Sequence, residues 1–340
     1  MLIFKNLLGA VTTAYGLALT LYFVARVFVP TMDGLELIGD FLPWEILGSL
    51  ILLALNLLLG CWWRVVLLLP ATVAGVTLYA PYFLPRTPAP HAAPMLRVAS
   101  FNVSCGNTQL AKVEEWLREL PADVVLLQEL PKAYAVDGIP ALTDVYRYQL
   151  REPPQLRSCG NMMLSRHPIL DSRYIRLDDA IAAYWLQHAT VDMNGRALSF
   201  YNVHLIKPLH SRSPRSEASA VLWMPVHYDQ TTRDRQIERL LKILAAEKRP
   251  FVVAGDFNMT DRSEIYRRVA TQLQDAFRTA GAGIGATWPV RSRATPLGWL
   301  PPLLRIDYIW DSRDLAVRTA AVGPELGSDH LPVYATFTAR

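Results

Sequence analysis

The stretch Phe251-Val252-Val253-Ala254-Gly255-Asp256-Phe257-Asn258-Met259-Thr260 decides the fold of this chain. Its apolar and small residues predict a buried strand that runs directly into a glycine, an acid and an amide, which are residue types that end strands. A carboxylate from Asp256 and an amide from Asn258 can therefore face one ligand, such as a phosphate and its attacking water. Both side chains also suit a simple turn cap, so the rest of the chain has to decide between the two interpretations.

The amino-terminal quarter of the chain is strongly apolar. The 340 residues carry a formal net charge of +4 and are 51% hydrophobic, and the mean hydropathy of +0.17 is high for a soluble enzyme. The excess lies in three uncharged runs at residues 7–25, 46–63 and 65–85. Each is close to the roughly 20 residues that a bilayer-spanning helix needs. Residues 1–85 are therefore predicted to form a membrane anchor of three transmembrane helices, with a short acidic loop at 30–36.

Two other interpretations of these runs are less favoured. Lys5 before the first run resembles the start of a cleaved secretory signal, but the two later runs would still anchor the chain. Buried core helices would show a polar face, which the runs lack. The orientation is nearly balanced, because Lys5 and Arg64 share one side and Arg26 and Arg86 the other. A short amino terminus with Lys5 favours the plasma (inner) membrane with the following domain on the extracytoplasmic side.

A proline-rich linker is predicted at residues 86–95, because repeated prolines without apolar periodicity are typical of an extended spacer. Residues 96–340 have the composition and length of one globular domain. Asn194-Gly195 is a strong signal for a two-residue hairpin turn. Strands are predicted at 96–103, 123–129, 160–168, 185–191, 197–203, 251–255, 305–310 and 333–338, and helices at 108–120, with Thr108 as its N-cap, and 231–247. This mixture predicts an α/β sandwich.

Polar side chains recur at the ends of these strands, in a domain whose strand interiors are apolar. One such residue suits a turn or a helix cap, but a whole set indicates a site. Oxygen ligands without a cysteine or multi-histidine cluster favour Mg²⁺ or Mn²⁺ over zinc. The set consists of Asn102, Glu129, His204, Asp256, Asn258, Asp307, Asp329 and His330.

These motifs resemble the endonuclease/exonuclease/phosphatase superfamily of metal-dependent phosphoesterases, over most of residues 96–338. The resemblance implies a four-layered α/β sandwich, in which helices flank two packed mixed β-sheets and the site lies at one end of the sheets. The motifs are Ser100-Phe101-Asn102-Val103, Leu127-Gln128-Glu129, Asn202-Val203-His204, Gly255-Asp256-Phe257-Asn258, Ile306-Asp307-Tyr308 and Ser328-Asp329-His330-Leu331-Pro332.

The resemblance also implies a role for each residue. Glu129 corresponds to the principal metal carboxylate, with Asn102 and Asp329 beside the metal. Asp256 corresponds to the residue that orients and deprotonates the attacking water, and Asn258 to a donor for a phosphate oxygen.

Two histidines complete this set. His330, oriented by Asp307, corresponds to the contact with the scissile phosphate. His204 corresponds to the group that protonates the leaving oxygen. Phosphoryl transfer depends on positioning and charge neutralisation, so no covalent nucleophile is needed.

Two shorter stretches carry a weaker resemblance. Arg233-Asp234-Arg235-Gln236 is similar to the start of a superfamily helix, although a solvated helix face explains it equally well. Thr287-Trp288 is similar to a loop near the superfamily site. The chain departs from the family in a long stretch at 206–232, which contains Lys207, Arg212, Arg215 and the apolar run 221–226. A loop of this length is usually functional or disordered, and it leaves the substrate open.

The function expected from this set is that of a membrane-anchored, divalent-metal-dependent phosphoester hydrolase, acting on nucleic acid or on a membrane or envelope lipid. No obligate protein partner is evident. The alternative is a catalytically inactive, membrane-tethered binding module of the same fold, which predicts the loss of a metal-handling or water-handling residue.

The cysteines bear on the compartment. Cys105 and Cys159 fall near one end of the sheet if the superfamily fold is right, and a disulfide between them would be stable only in an oxidising compartment. Without the distance between their Cα atoms, two free thiols are favoured over a bond. Cys61 lies at a membrane boundary and is expected to take no part.

Overall fold

The computed structural model describes residues 2–84, 95–131, 134, 139–152, 159–179, 185–211, 226–290 and 301–339. It forms two compact units, Met1–Leu84 with Arg262–Glu264 and Pro85–Asp261 with Ile265–Arg340. The linker predicted at 86–95 lies, apart from Met95, outside the described residues.

The first unit is helical. It contains α1 (Leu2–Phe28), α2 (Asp33–Asp40), α3 (Leu42–Leu58) and α4 (Trp62–Phe83). Two helical segments, Lys5–Phe28 and Trp62–Phe83, are each long and apolar enough to cross a membrane. The helices α2 and α3 meet at a bend of 63° and pass the same criterion only as a pair. The described part of the chain therefore has two candidate spans, or three if the bent pair counts as one.

Two details of the predicted anchor were wrong. The stretch predicted as an acidic loop is partly helical, because Asp33 begins α2. The second run was predicted to continue to residue 63, but α3 ends at Leu58 and Gly60 adopts a φ of 70°. Glycine adopts this left-handed conformation without a steric penalty, and it separates α3 from α4.

Buried polar side chains inside the helical unit contact one another. Asn56 on α3 donates a hydrogen bond to Thr12 Oγ1 on α1 at 3.0 Å, and both side chains are inaccessible to solvent. A polar group in hydrocarbon needs such a partner. The contact links two helices of this unit and suits a membrane environment.

The second unit contains two six-stranded mixed sheets. The first has the order β13-β14-β1-β2-β4-β3 and the second β11-β12-β10-β7-β6-β5. The strands are β1 (Leu96–Asn102), β2 (Val124–Pro131), β3 (Tyr148–Arg151), β4 (Cys159–Ser165), β5 (Ile169–Arg176), β6 (Trp185–Met193), β7 (Arg196–His204), β8 (Leu209–Ser211), β9 (Val226–Tyr228), β10 (Phe251–Asp256), β11 (Gln274–Asp275), β12 (Asp307–Asp311), β13 (Leu315–Val322) and β14 (Val333–Ala339), and the helices are α5 (Leu110–Glu119), α6 (Thr231–Ala245), α7 (Glu264–Gln272) and α8 (Ala276–Ala280), with a 3-10 turn at Pro140–Leu142.

Apolar side chains from both sheets form the central core. Leu126 on the first sheet and Phe200 on the second belong to one buried cluster. The outer face of the first sheet packs against Leu117 of α5, and that of the second against Leu240 of α6. This order of helix, sheet, sheet and helix is the four-layered α/β sandwich that the sequence predicts, and the prediction is confirmed.

Strand boundaries agree with the sequence to within a few residues. The hairpin turns at Asn194-Gly195, as predicted, with positive φ angles of 57° and 89°. Two boundaries were wrong, because Gln109 rather than Thr108 is the N-cap of α5, and β12 begins at Asp307 rather than at residue 305. The short or exposed elements α7, α8, β3, β5, β11 and β13 were not predicted.

Gly255 allows the central strands of the second sheet to meet just before the site. A Cβ atom at this position would lie 1.8 Å from the carbonyl oxygen of Val203, and the residue has a φ of 147°. Only glycine fits both conditions. The parallel pairing of β10 with β7 then places Asp256 opposite His204, while the antiparallel pairing with β12 places it opposite Asp307.

Candidate active site

Asp256 is the residue on which the predicted site side chains converge. Its Oδ2 accepts a hydrogen bond from Asn102 Nδ2 at 3.0 Å. The same oxygen lies 3.8 Å from His330 Nε2 and 3.9 Å from His204 Nε2. The carboxylate is 2% exposed, and its neighbours come from both sheets. The structure thus gathers three predicted site residues around this buried acid.

The environment of Asp256 shifts its protonation. Burial raises the pKa of Asp256 to about 7, and the charge of Asp307 adds to this, while His330 and hydrogen bonds from Asn258 and Asn102 act in the opposite direction. A carboxyl group with a pKa near neutrality is suited to general-base work, because it can accept a proton at the pH of its surroundings. Asp256 therefore combines the position and the basicity that such a role requires.

Asp307 orients His330. Its Oδ2 lies 2.9 Å from Nδ1 of the imidazole, and both side chains are buried. Burial opposes the imidazolium, but the negative charges of Asp307 and Asp256 outweigh it and raise the pKa of His330 to about 10. The ring is therefore a buried cation at neutral pH that presents Nε2 towards Asp256.

Backbone contacts hold this pair in place. Ser328 Oγ accepts from the backbone N–H of His330 at 3.0 Å and donates to the carbonyl of Asn102 at 2.7 Å. Thr287 Oγ1 accepts from the backbone N–H of Asp307 at 3.4 Å. The weak resemblance around Thr287 is thus accompanied by a contact to the site. The resemblance of Thr287-Trp288 to a superfamily loop was the sequence signal for this contact.

Glu129 lies at the more open side of the cluster. Its side chain is 33% exposed, and its Oε1 is 3.5 Å from His204 Nε2. Asn102 Nδ2 lies 3.4 Å from the same oxygen. The residue adopts a φ of 51°, which is uncommon outside glycine and asparagine and tends to occur at functional sites. Glu129 therefore offers a carboxylate to solvent beside the buried acid.

Two arrangements of side chains could hold a metal ion. Donor atoms of Asp256, Asp307 and His330 lie within 4.8 Å of one another, but Asp307 already engages His330 Nδ1. Glu129 has an accessible carboxylate next to Asp256, which fits the preference of Mg²⁺ for one or two carboxylates with retained waters. The donor set around Glu129 therefore fits a hard divalent cation.

The other members of the predicted set lie nearby, with contacts of their own. Asn102 directs its amide nitrogen at the carboxylates, whereas its Oδ1 accepts from Ser104 N. Among the described residues, the partner of the Asp329 carboxylate is Trp288, whose Nε1 donates to it at 3.4 Å, and not Glu129. Asn258 donates from Nδ2 to the carbonyl of Leu205 at 3.0 Å, and the second N–H of this amide is a further donor.

Two buried side chains at the start of α6 bind the backbone near the site. Arg233 is 1% exposed, and its Nη1 donates to the carbonyl of Asn258 at 2.9 Å. Gln236 is fully buried and accepts from the backbone N–H of Ile206. The interpretation of this stretch as a solvated helix face is therefore wrong for these two residues. Arg235, between them in sequence, is exposed.

A buried ionic cluster that the sequence did not predict lies next to β12. Arg305 is 3% exposed, and its Nη2 lies 2.8 Å from Asp275 and 3.4 Å from Asp261. Its guanidinium also lies 4.4 Å from the ring centre of Tyr308. The sequence feature that could have indicated this cluster is Arg305 itself, a charged residue directly before the buried motif Ile306-Asp307. This cluster fixes the start of the strand that carries Asp307.

Cys105 and Cys159 form a disulfide, with their Cα atoms 5.8 Å apart. The separation lies within the usual range for such a bond, so the preference for two free thiols was wrong. The bond ties the loop after β1 to the first residue of β4. The backbone N–H of Cys105 also donates to Glu129 Oε2 at 3.4 Å, so the disulfide lies directly beside the site.

The structure describes part of the stretch 206–232, in which the chain departs from the family pattern. The short strands β8 and β9 pair with each other at its two ends. Residues 212–225, which include Arg212, Arg215 and most of the apolar run, lie outside the described residues.

Comparisons with known proteins agree with this geometry. The model of the Endonuclease/Exonuclease/phosphatase family matches residues 99–330. A search of curated proteins found no match. Among solved structures, an endonuclease/exonuclease/phosphatase from Bacteroides vulgatus superposes with a TM-score of 0.56 at 21% identity, covering 72% of this chain and 99% of that one.

Two further solved structures share this fold. Truncated Caenorhabditis elegans TDP2 gives a TM-score of 0.55 at 20% identity, covering 72% of this chain and 98% of that one. The human Nocturnin catalytic domain with bound sulfate gives 0.53 at 21% identity, covering 75% of this chain and 97% of that one.

The contact between Asp307 and His330 predicts that the two residues act as a unit. Asp307→Ala and His330→Ala should each lower kcat for a phosphodiester strongly, and the double variant should lose little more than the worse single variant. Steady-state kinetics of the three variants form the double-mutant cycle. A double variant that shows the full product of the two single losses would contradict the coupling.

Proposed function

Because the chain belongs to the endonuclease/exonuclease/phosphatase family, whose members are generally hydrolases of ester bonds, we propose that it is a membrane-anchored, divalent-metal-dependent phosphoester hydrolase. The observation that carries this proposal is the buried Asp256 carboxylate, which contacts an amide and two imidazoles beside the accessible Glu129. Its domains are a helical anchor at 1–85, a linker at 86–95 and a catalytic domain at 96–340.

The chain's own residues have distinct parts in this proposal. Asp256 accepts a proton from the attacking water, since its pKa of about 7 permits this at neutral pH. The cationic His330 lies where a phosphate oxygen can accept its Nε2–H, and Asp307 keeps the ring in that orientation. The imidazolium of His330 stabilises the negative charge that develops on the phosphoryl oxygens.

Two further side chains complete the proposed cycle. Asn258 donates its amide to a phosphate oxygen, while the bond from Arg233 to its carbonyl holds the turn. His204, beside Glu129 and Asp256, donates a proton to the leaving oxygen. The transfer of one proton to Asp256 and one from His204 keeps the overall charge balanced.

Glu129 would supply the principal carboxylate for the divalent cation, Mg²⁺ or Mn²⁺, and Asn102 Oδ1 and an Asp329 carboxylate oxygen are the further ligands that the family resemblance implies. Such an ion neutralises charge on the phosphate oxygens. Asn102 has a second part, because its amide joins Glu129 to Asp256 and so sets the distance between the metal carboxylate and the base. The inactive binding module is disfavoured, because none of the metal-handling and water-handling residues that the family resemblance implies is lost from the chain.

The proposed substrate is a phosphoester in nucleic acid or in a membrane or envelope lipid. The proposed location is the plasma (inner) membrane, with the catalytic domain on the extracytoplasmic side. The disulfide between Cys105 and Cys159 supports this side, since such bonds persist in oxidising compartments.

Hydrolysis of bis(p-nitrophenyl) phosphate by the full-length protein in detergent tests the activity. We expect turnover with Mg²⁺ or Mn²⁺ that EDTA abolishes. Glu129→Gln and Asp256→Asn should each lower kcat on the order of 10²-fold or more, because each removes a charge at nearly constant shape. Glu119→Gln makes the same chemical change on the exposed face of α5 and should leave kcat unchanged. Near-normal turnover in either site variant would overturn these assignments.

The proposed side of the membrane is testable with an introduced cysteine. Ala92→Cys in a Cys61→Ser background places a single new thiol in the predicted linker. An impermeant maleimide should label this thiol in intact cells. Protection that is lifted only after the membrane is permeabilised would place the catalytic domain in the cytoplasm instead.

A further inference from the structure

His204 has an aromatic neighbour on the adjoining strand β6. In the β6–β7 pairing Gln187 lies opposite Asn202, and Trp185 and His204 each lie two residues beyond that pair, Trp185 as the first residue of β6 and His204 as the last of β7. Cross-strand partners, and residues two apart on one strand, share a face of the sheet. Gln187 and Asn202 are hydrogen-bonded to each other on the face towards the first sheet. Trp185 therefore shares both the face and the edge of the sheet with His204.

Arg176 extends this row by one strand. It pairs directly opposite Trp185 across β5 and β6, and its guanidinium carbon lies 5.0 Å from the centre of the indole ring. Arg176 is exposed and Trp185 is half-buried. Adjacent strands are about 4.8 Å apart, so the row runs on the order of 10 Å outward from His204.

The chemistry of this pair suits an anion. An arginine stacked on an indole is held in one orientation by the cation–π contact. Its N–H donors lie in the guanidinium plane, so stacking leaves them available for two parallel hydrogen bonds to a phosphate. The exposed Arg176, with its guanidinium beside the indole of Trp185, thus has the donors that an anion requires.

We propose that Arg176, held by Trp185, binds a second phosphate group of the substrate, on the His204 side of the scissile phosphorus. The inference rests on the proposed function and makes it more specific, since it requires a substrate with at least two phosphates. The adjoining phosphate of a nucleic acid strand and the second phosphate of a lipid diphosphate share this chemistry.

The test compares substrates that differ by one phosphate. For full-length protein in detergent, kcat/KM is measured for the dinucleotide d(TpT) and for its two forms with an added terminal phosphate, d(pTpT) and d(TpTp). One added phosphate should raise kcat/KM in the wild type, and the ratio of kcat/KM with the added phosphate to kcat/KM without it measures the gain. Arg176→Gln should lower this ratio on the order of 10-fold, as expected for charged hydrogen bonds. Arg176→Lys should keep part of the ratio, because it retains a point charge.

Arg173 provides a matched control. It lies on the same strand, is also exposed, and pairs opposite His188 on the other face of the sheet. Arg173→Gln removes the same charge and should leave the ratio unchanged. An equal fall in both variants would show a general effect of charge and would overturn the subsite.

A second pair of substrates separates the two sources of the phosphate. A short polyprenyl diphosphate is compared with its monophosphate in the same variants. A fall in ratio confined to the nucleotides would identify a nucleic acid strand, and a fall confined to the polyprenyl compounds would identify a lipid diphosphate.

Equilibrium binding of the same compounds in Ca²⁺ separates this inference from the proposed function. If the wild type hydrolyses neither these compounds nor bis(p-nitrophenyl) phosphate, the proposed function fails, while the ratio of Kd values still tests the subsite. Equal ratios in wild type and Arg176→Gln, by kinetics and by binding, would overturn the proposal for Arg176.

Discussion

The hydrogen bond from Gln128 Nε2 to Asn202 Oδ1, 2.7 Å long, joins the two sheets directly behind the site. Asn202 also donates to the carbonyls of Leu127 and Met162 in the first sheet. Both amide side chains are inaccessible to solvent, and a buried amide that loses its partner costs about 1–3 kcal/mol. A shift of one sheet against the other would break these hydrogen bonds. Glu129 follows Gln128 and His204 lies two residues after Asn202, so the same contact sets the distance between the two halves of the site.

Burial makes Asp256 more basic, and it also makes the charged carboxylate energetically unfavourable. An isolated carboxylate at the position of Asp256 would be strongly disfavoured, and the rise in its pKa expresses this. The cationic His330 and the donors from Asn102 and Asn258 make the charged form tolerable. The same groups are the ones that a phosphate and an attacking water would meet. Preorganised charges and dipoles in a water-poor site are the main source of catalysis in phosphoryl transfer.

Much of this arrangement could be predicted from the sequence because it is local. A buried strand ends where its apolar pattern ends, so the positions of Asp256, His204 and Glu129 at strand ends followed from short stretches. The hairpin at Asn194-Gly195 followed from the conformational needs of a two-residue turn. The family resemblance then supplied the four-layered sandwich with its site at one end of the sheets, and hence the meeting of these strand ends.

Other features depended on packing between distant segments and carried little local signal. Arg233 is charged and lies on a helix with many polar residues, so the sequence could not show that its guanidinium is buried under Asn258. The bond between Cys105 and Cys159 depended on a Cα separation across 54 residues of chain. The row from His204 to Arg176 required the register of three strands. Such contacts are set by the fold as a whole and become visible only in three dimensions.

In the proposed mechanism Glu129 holds the cation, while Asp256 and His330 contact the attacking water and the phosphate. Anomalous X-ray scattering from crystals of the full-length protein grown with Mn²⁺ locates the ion directly. We expect a peak within coordination distance of a Glu129 carboxylate oxygen, and its disappearance in Glu129→Gln crystals grown in the same way. A peak enclosed by Asp256, Asp307 and His330 that persists in Glu129→Gln would contradict this mechanism.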